Sequence, residues 1–372
     1  MTGPAHVLKL GRIERYVLVQ TLKSLAIALA VISSLVMLID FVEISRTVGG
    51  DADLSTVRIL GLMAVKSPTV ILQLLPFVFL FGTLGAFMSL NRRSELVAMR
   101  AAGVSAWRFV LPAAGAAFVI GVITITLLDP AAASGDGLFR RERDRISSAA
   151  AGAETPAAVW LREGSADRQM IIRAGRQDRA NGRLLNVSFF IYLNQPDGRR
   201  VFSERIDATS ASLTAGRWRL TDAVGAQVGE RAVRYATLDL HSTLADNEAF
   251  ERLARPQSTP FWSLPRQAER IEQAGFSATT HWLRFQQLLA TPLTFAAMSI
   301  LAAAFSLRLL RLGDLAKMTA SAVLLGFLFF FLNQFSAAMG SAEVVPPVVA
   351  AWLPTLLTTL AAVTLLIYTE DG

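Results

Sequence analysis

RRSELVAMRAAGVSAWRF (Arg92–Phe109) lies between two apolar segments, each long enough to cross a bilayer. Ser94 is suited to an N-cap, and Glu95 in the first turn suits the positive end of a helix. Leu96 and Met99 share one face at i, i+3, and Arg100 sits near the C-terminus, where a cation is favoured. Gly103 supplies the left-handed residue that ends a helix, and Ser105 is placed to cap the next one. The stretch therefore predicts a short amphipathic helix lying on the membrane surface between two spans. Physics alone leaves two readings open: a basic loop that orients the protein, or a docking element for a soluble partner.

The rest of the chain agrees with a membrane setting. It has 372 residues, 53% of them hydrophobic and 17% charged, with a mean hydropathy of +0.44. Spans are expected at Glu14–Ile39, Ile59–Leu90, Ser105–Leu128, His281–Leu307, Leu315–Ala338 and Pro346–Tyr368. Pro68 and Pro76 should kink the second, and Pro292 the fourth. The first is too long for a signal-peptide core, and no small-residue cleavage site follows it. Cysteine is absent, which excludes disulfides, thiolate metal sites and a cysteine nucleophile. The net charge of +7 fits basic loops and anionic lipid rather than nucleic acid.

Six spans put both termini on one side. Lys9, Arg12 and Arg15, then Arg92, Arg93, Arg100 and Arg108, then Arg308, Arg311 and Lys317 make that side cytoplasmic by the positive-inside rule. The long segment 129–280 then lies outside the membrane. It contains short β-branched and aromatic runs such as RQMIIRAGRQ and LLNVSFFIYL, with turn signals at Asn181-Gly182 and Pro196–Gly198. The expected fold class is an α+β membrane protein: six transmembrane helices with a periplasmic β-sandwich or jelly-roll domain inserted between helices 3 and 4. The divisions are 1–129 (with the surface helix at about 92–103), 130–260 for the β-domain, and 261–372.

No G-x-x-x-x-G-K-[ST] stretch occurs, so the chain carries no phosphate-binding loop. Work done by it must draw on a partner or an ion gradient. A short helix with a charged front is a suitable lever between a soluble motor and spans two and three. The three histidines, His6, His241 and His281, have no metal-ligand spacing, and no nucleophile motif is present.

RRSELVAMRAAGVS resembles the coupling helix of the lipopolysaccharide-export permeases, the LptF/LptG family of ABC-transporter subunits. IERYV near the N-terminus, the proline-broken second span, the single large insert, and GFLFFFLNQF followed by VPPVVAAWLP fit that family in order over essentially the whole chain. The two late segments look closer to the LptG branch than to LptF. The resemblance implies a non-enzymatic permease that pairs with an LptF-like subunit above an LptB ATPase dimer, which binds the ATP and Mg. It implies extraction of lipopolysaccharide from the bacterial inner membrane through lateral gates at spans one and five. LptC contributes a helix to a gate, and the lipid passes along a β-jelly-roll bridge of LptC and LptA toward the outer membrane.

Carried over onto this sequence, the coupling residues are Glu95, pairing with a basic group of the ATPase, and Leu96 and Met99, packing into its groove, with Arg92, Arg93 and Arg100 as weaker candidates that as plain loop arginines face lipid headgroups. The lipid-binding candidates are the cations Arg46, Arg58, Lys66, Arg140, Arg141 and Arg284. Phe77, Phe81, Phe327, Phe330 and Phe331 are candidates for the acyl-chain cavity, though aromatics in spans are more often helix packing. The chain departs from relatives at Asp40 and Glu43, where relatives can be lysine-rich, and at Asn333, where a relative has aspartate. These departures imply a lipid A with a different anionic pattern. A lipid-modifying enzyme and a mechanotransmission subunit without a transmembrane substrate path are the alternatives. The first needs converging titratable groups at the outer face; the second has a four-span plan.

Overall fold

The computed structural model describes residues 11–48, 56–150, 159–164, 168–178, 183–194, 200–214, 216–227, 229, 231–242, 259–273, 277–309 and 315–371. Among these, six helices are long and apolar enough to cross a membrane, and they coincide with the expected spans. They are α1 (Arg12–Val48), α2 (Thr56–Arg92), α4 (Ala106–Ile123), α7 (Thr279–Leu309), α8 (Leu315–Ser341) and α9 (Pro347–Asp371), with the seven-residue α3 (Glu95–Ala101) between the second and third and the short α6 (Leu264–Gln273) before the fourth. Helical form satisfies every backbone group internally, which hydrocarbon requires. α2, α7 and α9 each continue through their interior prolines.

Close approach of the spans depends on small residues. At Gly121 of α4 an added Cβ would fall 2.5 Å from the Cα of Pro292 in α7. At Gly82 of α2 it would fall 2.9 Å from the Cα of Leu25 in α1. Backbones meet there without intervening side chains, as helix packing in lipid favours. Two buried clusters fill the bundle: one around Phe87, Phe109 and Leu301, and one around Phe79 and Phe295, whose rings stack at 4.5 Å. α1 and α8 are the least enclosed spans. Ile27, Val31, Leu35 and Leu38 form an outward stripe on α1, and Phe327, Phe331 and Phe335 are exposed on α8.

The third span does not stop where the composition changes. A π turn (Thr124–Leu128) joins α4 to α5 (Asp129–Ala150), so one helical rod runs from the membrane surface well into the insert. The expected start of the β-domain at 130 is thus moved to Val159, the first described strand residue. Pro130 has no N–H to give and the ladder widens just before it; the Thr124 and Thr126 hydroxyls bond back to the Ile120 and Val122 carbonyls at 2.8 and 2.9 Å.

The described residues of the insert form one six-stranded antiparallel sheet in the order β1-β2-β3-β4-β5-β6: Val159–Gly164, Arg168–Asp178, Arg183–Asn194, Arg200–Thr214, Arg217–Gln227 and Val233–His241. An α+β membrane protein with a β-domain between helices 3 and 4 is the observed class. The described connectivity is an up-and-down meander, without the crossovers that define a jelly roll. The Asn181-Gly182 and Pro196–Gly198 turns lie outside the described residues, though β2 and β3 pair down to Asp178↔Arg183 around the first. The buried face carries Ile172, Phe189, Ile206 and Trp218. Its alternation slips by one residue at the same level on three neighbouring strands. Burial passes from Leu184 to Val187, from Ala208 to Ala211, and from Leu220 to Ala223. Asn186 and Asp222 adopt positive φ (50° and 53°) at this level, and Gly175 lies against Asn186. The result is a crease running across the sheet.

From α7 the structure makes a direct prediction. Gly121→Val forces α4 and α7 apart and costs about 1–3 kcal/mol. A thermal melt of the detergent-solubilised protein should show a lower midpoint than wild type, with Gly115→Val, at an open position, left near wild type.

Candidate functional site

α3 ends as its sequence requires. Gly103 takes φ 79°, its N–H donates to the Arg100 carbonyl at 2.9 Å, and the Val104 N–H donates to the Met99 carbonyl at 3.1 Å. This pair of bonds is the Schellman closure, with Met99 and Val104 packed together against the bundle. The start differs. Ser94 is left-handed (φ 54°) and makes no side-chain cap. Ser105 is extended, but makes no side-chain cap of its own to α4 either. The Ala106 N–H instead donates to Glu370 Oε2 at 2.8 Å, so the last turn of α9 caps α4 from outside.

The face that α3 offers outward also differs from expectation. Leu96 is 1% exposed and sits in the cluster with Val17, Phe87, Ala106 and Leu366. Its assignment to a partner's groove is corrected: it is the peg that holds α3 to its own bundle, because i, i+3 apolar residues seek the nearest apolar surface. Met99 is partly buried on the same side. Arg100 donates to the Thr369 carbonyl at 3.1 Å, an internal tie rather than a free cation. Outward remain Arg92, Arg93, Ser94, Val97, Ala98 and Ala101. Glu95 lies between the two faces. Its carboxylate meets the Tyr16 hydroxyl, while Oε2 is enclosed and without a hydrogen-bond partner among the described residues. Next to it, Arg108 pairs with Glu14 at 2.7 Å.

At the opposite end of the spans each described candidate cation has a partner. Lys66 pairs with Asp40 at 3.0 Å and lies over the Phe139 ring at 5.7 Å. Arg140 pairs with Asp136 at 2.7 Å. Arg284 pairs at 2.9 Å with Asp129, which is fully buried and also accepts the Phe261 N–H at 2.8 Å. Lys66, Arg140 and Arg284 are therefore members of ion pairs, not free headgroup ligands. The acid at Asp40 is explained as the counter-ion of Lys66. Arg46, Arg58 and Arg141 lie in helices, with side chains outside the described residues. Phe77 is half-buried with Phe330 at 6.2 Å, and Phe81 packs into the bundle, so these two join helices; Phe327 and Phe331 face outward. Asn333 is half-buried on α8.

Sequence reasoning missed Glu14, Asp129, Asp136 and Glu370. The available signal was the position of Glu14, Asp129 and Glu370 at the ends of apolar runs, where an unpaired charge is costly. At the same end of the spans as Asp129, Glu343, in the turn between α8 and α9, accepts from the Ser277 and Thr279 hydroxyls, and these bonds hold its carboxyl below the ordinary value. Among the described residues no group of three His, Cys, Asp or Glu residues is placed to hold a metal.

Comparison with known proteins adds an independent finding. Residues 15–368 match the family described as lipopolysaccharide export system permease LptF/LptG. The chain is 22% identical over 350 residues to the lipopolysaccharide export system permease protein LptG of Escherichia coli K12, covering 92% of this chain and 94% of that one. It is 23% identical over 354 residues to the protein of the same name from Haemophilus influenzae Rd, covering 94% and 96%.

Two outcomes follow, one from the Asp129–Arg284 pair and one from the hydroxyl bonds to Glu343. Arg284→Ala leaves Asp129 buried without its cation and should destabilise by about 3–5 kcal/mol, whereas the neutral pair Asp129→Asn with Arg284→Gln recovers most of that loss in a thermal melt. For Glu343 the folded pKa is lowered, so its contribution is fully present above the ordinary value of 4.5 and is lost as pH falls through the lowered one. An acid titration of the melting midpoint in wild type and Glu343→Gln should show the two curves converging below that pH.

Proposed function

The chain belongs to the LptF/LptG family of lipopolysaccharide export permeases, and from that premise we propose how its parts serve export. It is a multi-pass membrane protein and a permease subunit of the lipopolysaccharide export system, with lipopolysaccharide as the substrate. In our reading it resides in the inner membrane with both termini cytoplasmic and the β-domain periplasmic, as the distribution of lysine and arginine favours. It pairs with an LptF-like permease, takes its energy from an LptB ATPase dimer that holds ATP and Mg, and hands lipid to LptC and LptA.

The observation that carries the coupling role is the construction of α3. It is fixed inward by Leu96 and presents Arg92, Arg93, Val97, Ala98 and Ala101 outward. An exposed valine flanked by alanines and arginines is a docking surface of small apolar centre and basic rim. Glu95 stands at the edge of that surface with one oxygen unpartnered among the described residues, and in the complex it receives a basic group of the ATPase.

The outward apolar faces of α1 and α8 support their assignment to the lateral gate and the lipid cavity. Phe327 and Phe331 are the residues we assign to acyl-chain contact. At the outer surface Lys66 and Arg140 meet phosphates only by sharing them with, or exchanging them for, Asp40 and Asp136. Headgroup recognition is then weaker per cation and more dependent on ionic strength than with unpaired lysines.

Co-purification tests the coupling surface. Wild-type membranes solubilised in detergent should yield the ATPase subunit with this chain, and both Glu95→Arg and Val97→Asp should lose it while the permease pair stays intact. Equal recovery in all three would remove α3 from the docking surface.

A further inference from the structure

The covalent chain joins the coupling helix to spans two and three, but its side-chain bonds go elsewhere. Arg100 donates to the Thr369 carbonyl in the last turn of α9, and the Ala106 N–H donates to Glu370. The Ser105 hydroxyl bonds the same carboxylate. On the other flank Arg108 holds Glu14, and Glu95 meets Tyr16, both in the first turns of α1. Leu96 sits in a cluster with Val17 of α1 and with Ala362 and Leu366 of α9. Thus three kinds of contact, apolar, ionic and backbone-capping, tie the segment 95–108 to the two terminal spans.

The capping contact has particular reach. The first N–H groups of α4 have no partner within their own helix. Glu370 satisfies one of them while its charge faces the positive end of α4, and Arg100 places a cation at the negative end of α9. The end of α9 and the start of α4 are therefore complementary. Displacing the segment 95–108 from α9 would leave both helix ends without these partners.

We propose that the last turn of α9, through Glu370 and Thr369, together with Glu14 at the start of α1, forms a clamp that passes movement of the coupling helix to the first and last spans. Glu370 and Glu14 are positioning residues in this scheme, and neither touches the lipid. The inference rests on the coupling role of α3 given above. It differs from that role in where the motion goes: to α1, the least enclosed span, and to α9, which packs along α7. The lever reaches spans that the chain order does not link to it.

Two readouts separate this idea from the docking assignment. Hydrogen–deuterium exchange on the purified permease, without ATPase, reads the clamp itself: Glu370→Ala should speed exchange in the peptide covering 95–108, and Glu370→Gln, which keeps an acceptor oxygen, should stay near wild type. The full complex in vesicles then reads transmission. With Glu370→Ala, or Glu14→Ala, the ATPase should remain bound and hydrolyse ATP, while lipopolysaccharide released per ATP falls about 5-fold or more. Glu370→Gln should restore most of the loss. Unchanged exchange in Glu370→Ala overturns the clamp. Hydrolysis and release falling in proportion, or release per ATP unaltered, overturns its transmitting role. Loss of ATPase binding already in wild type would strike the docking assignment, and with it this proposal, while leaving the exchange result to stand on its own.

Discussion

A single buried carboxylate joins the halves of this protein. Asp129 is completely enclosed where the third span widens into a π turn, and it holds both Arg284 of the fourth span and the Phe261 N–H of the returning chain. Placing a bare charge there would be prohibitive, so the site exists only because both partners are present. Phe261 stacks on Phe285 at 5.2 Å beside it, adding apolar contact to the polar joint. The departing helix α5 and the returning chain are thereby fixed to one point of the bundle. That point adds a polar anchor to the packing of α5 along α2.

At the other face of the bundle the same economy of charge appears. Glu14, Glu95 and Glu370 lie among arginines and helix ends rather than facing solvent alone. Glu14 and Glu370 lie at the ends of apolar spans and Glu95 at the start of the helix between two of them, so each carboxylate meets a partner from another element. The short helix α3 is consequently a part of the bundle that protrudes, not a loop laid over it. That is why its apolar residues point inward and why its outward face is made of small and basic side chains.

The architecture was legible because its signals are long. Six apolar runs, a basic loop pattern and a change to β-branched sequence each extend over many residues, and hydrocarbon leaves few alternatives to a helix. Gly103 was legible for a local reason, since a Schellman ending is a short-range construction. The failures share the opposite cause. Leu96 was assigned outward because amphipathicity gives a face but not what that face meets. Ser105 was assigned as a cap because the competing acceptor, Glu370, lies 264 residues away in sequence. The pairing of Lys66 with Asp40 was hidden in the same way, and with it the structural reason for an acid at Asp40. The crease escaped notice because Asn186 and Asp222 lie within runs that read as continuous strands, and only the strand register aligns them.

Strand order has a consequence for biogenesis. Every described strand of the insert pairs with its neighbour in sequence, so the pairings of the described sheet are complete by His241. Pairings of short sequence separation form quickly, and domains fold as units as the chain is synthesised. The insert can thus be finished while the last three spans are still being made. Asp129, committed early, waits for Phe261 and Arg284, which arrive only afterwards. The joint that fixes the outer domain is in this order the last element of it to assemble, and it closes only on a chain whose fourth span has entered correctly.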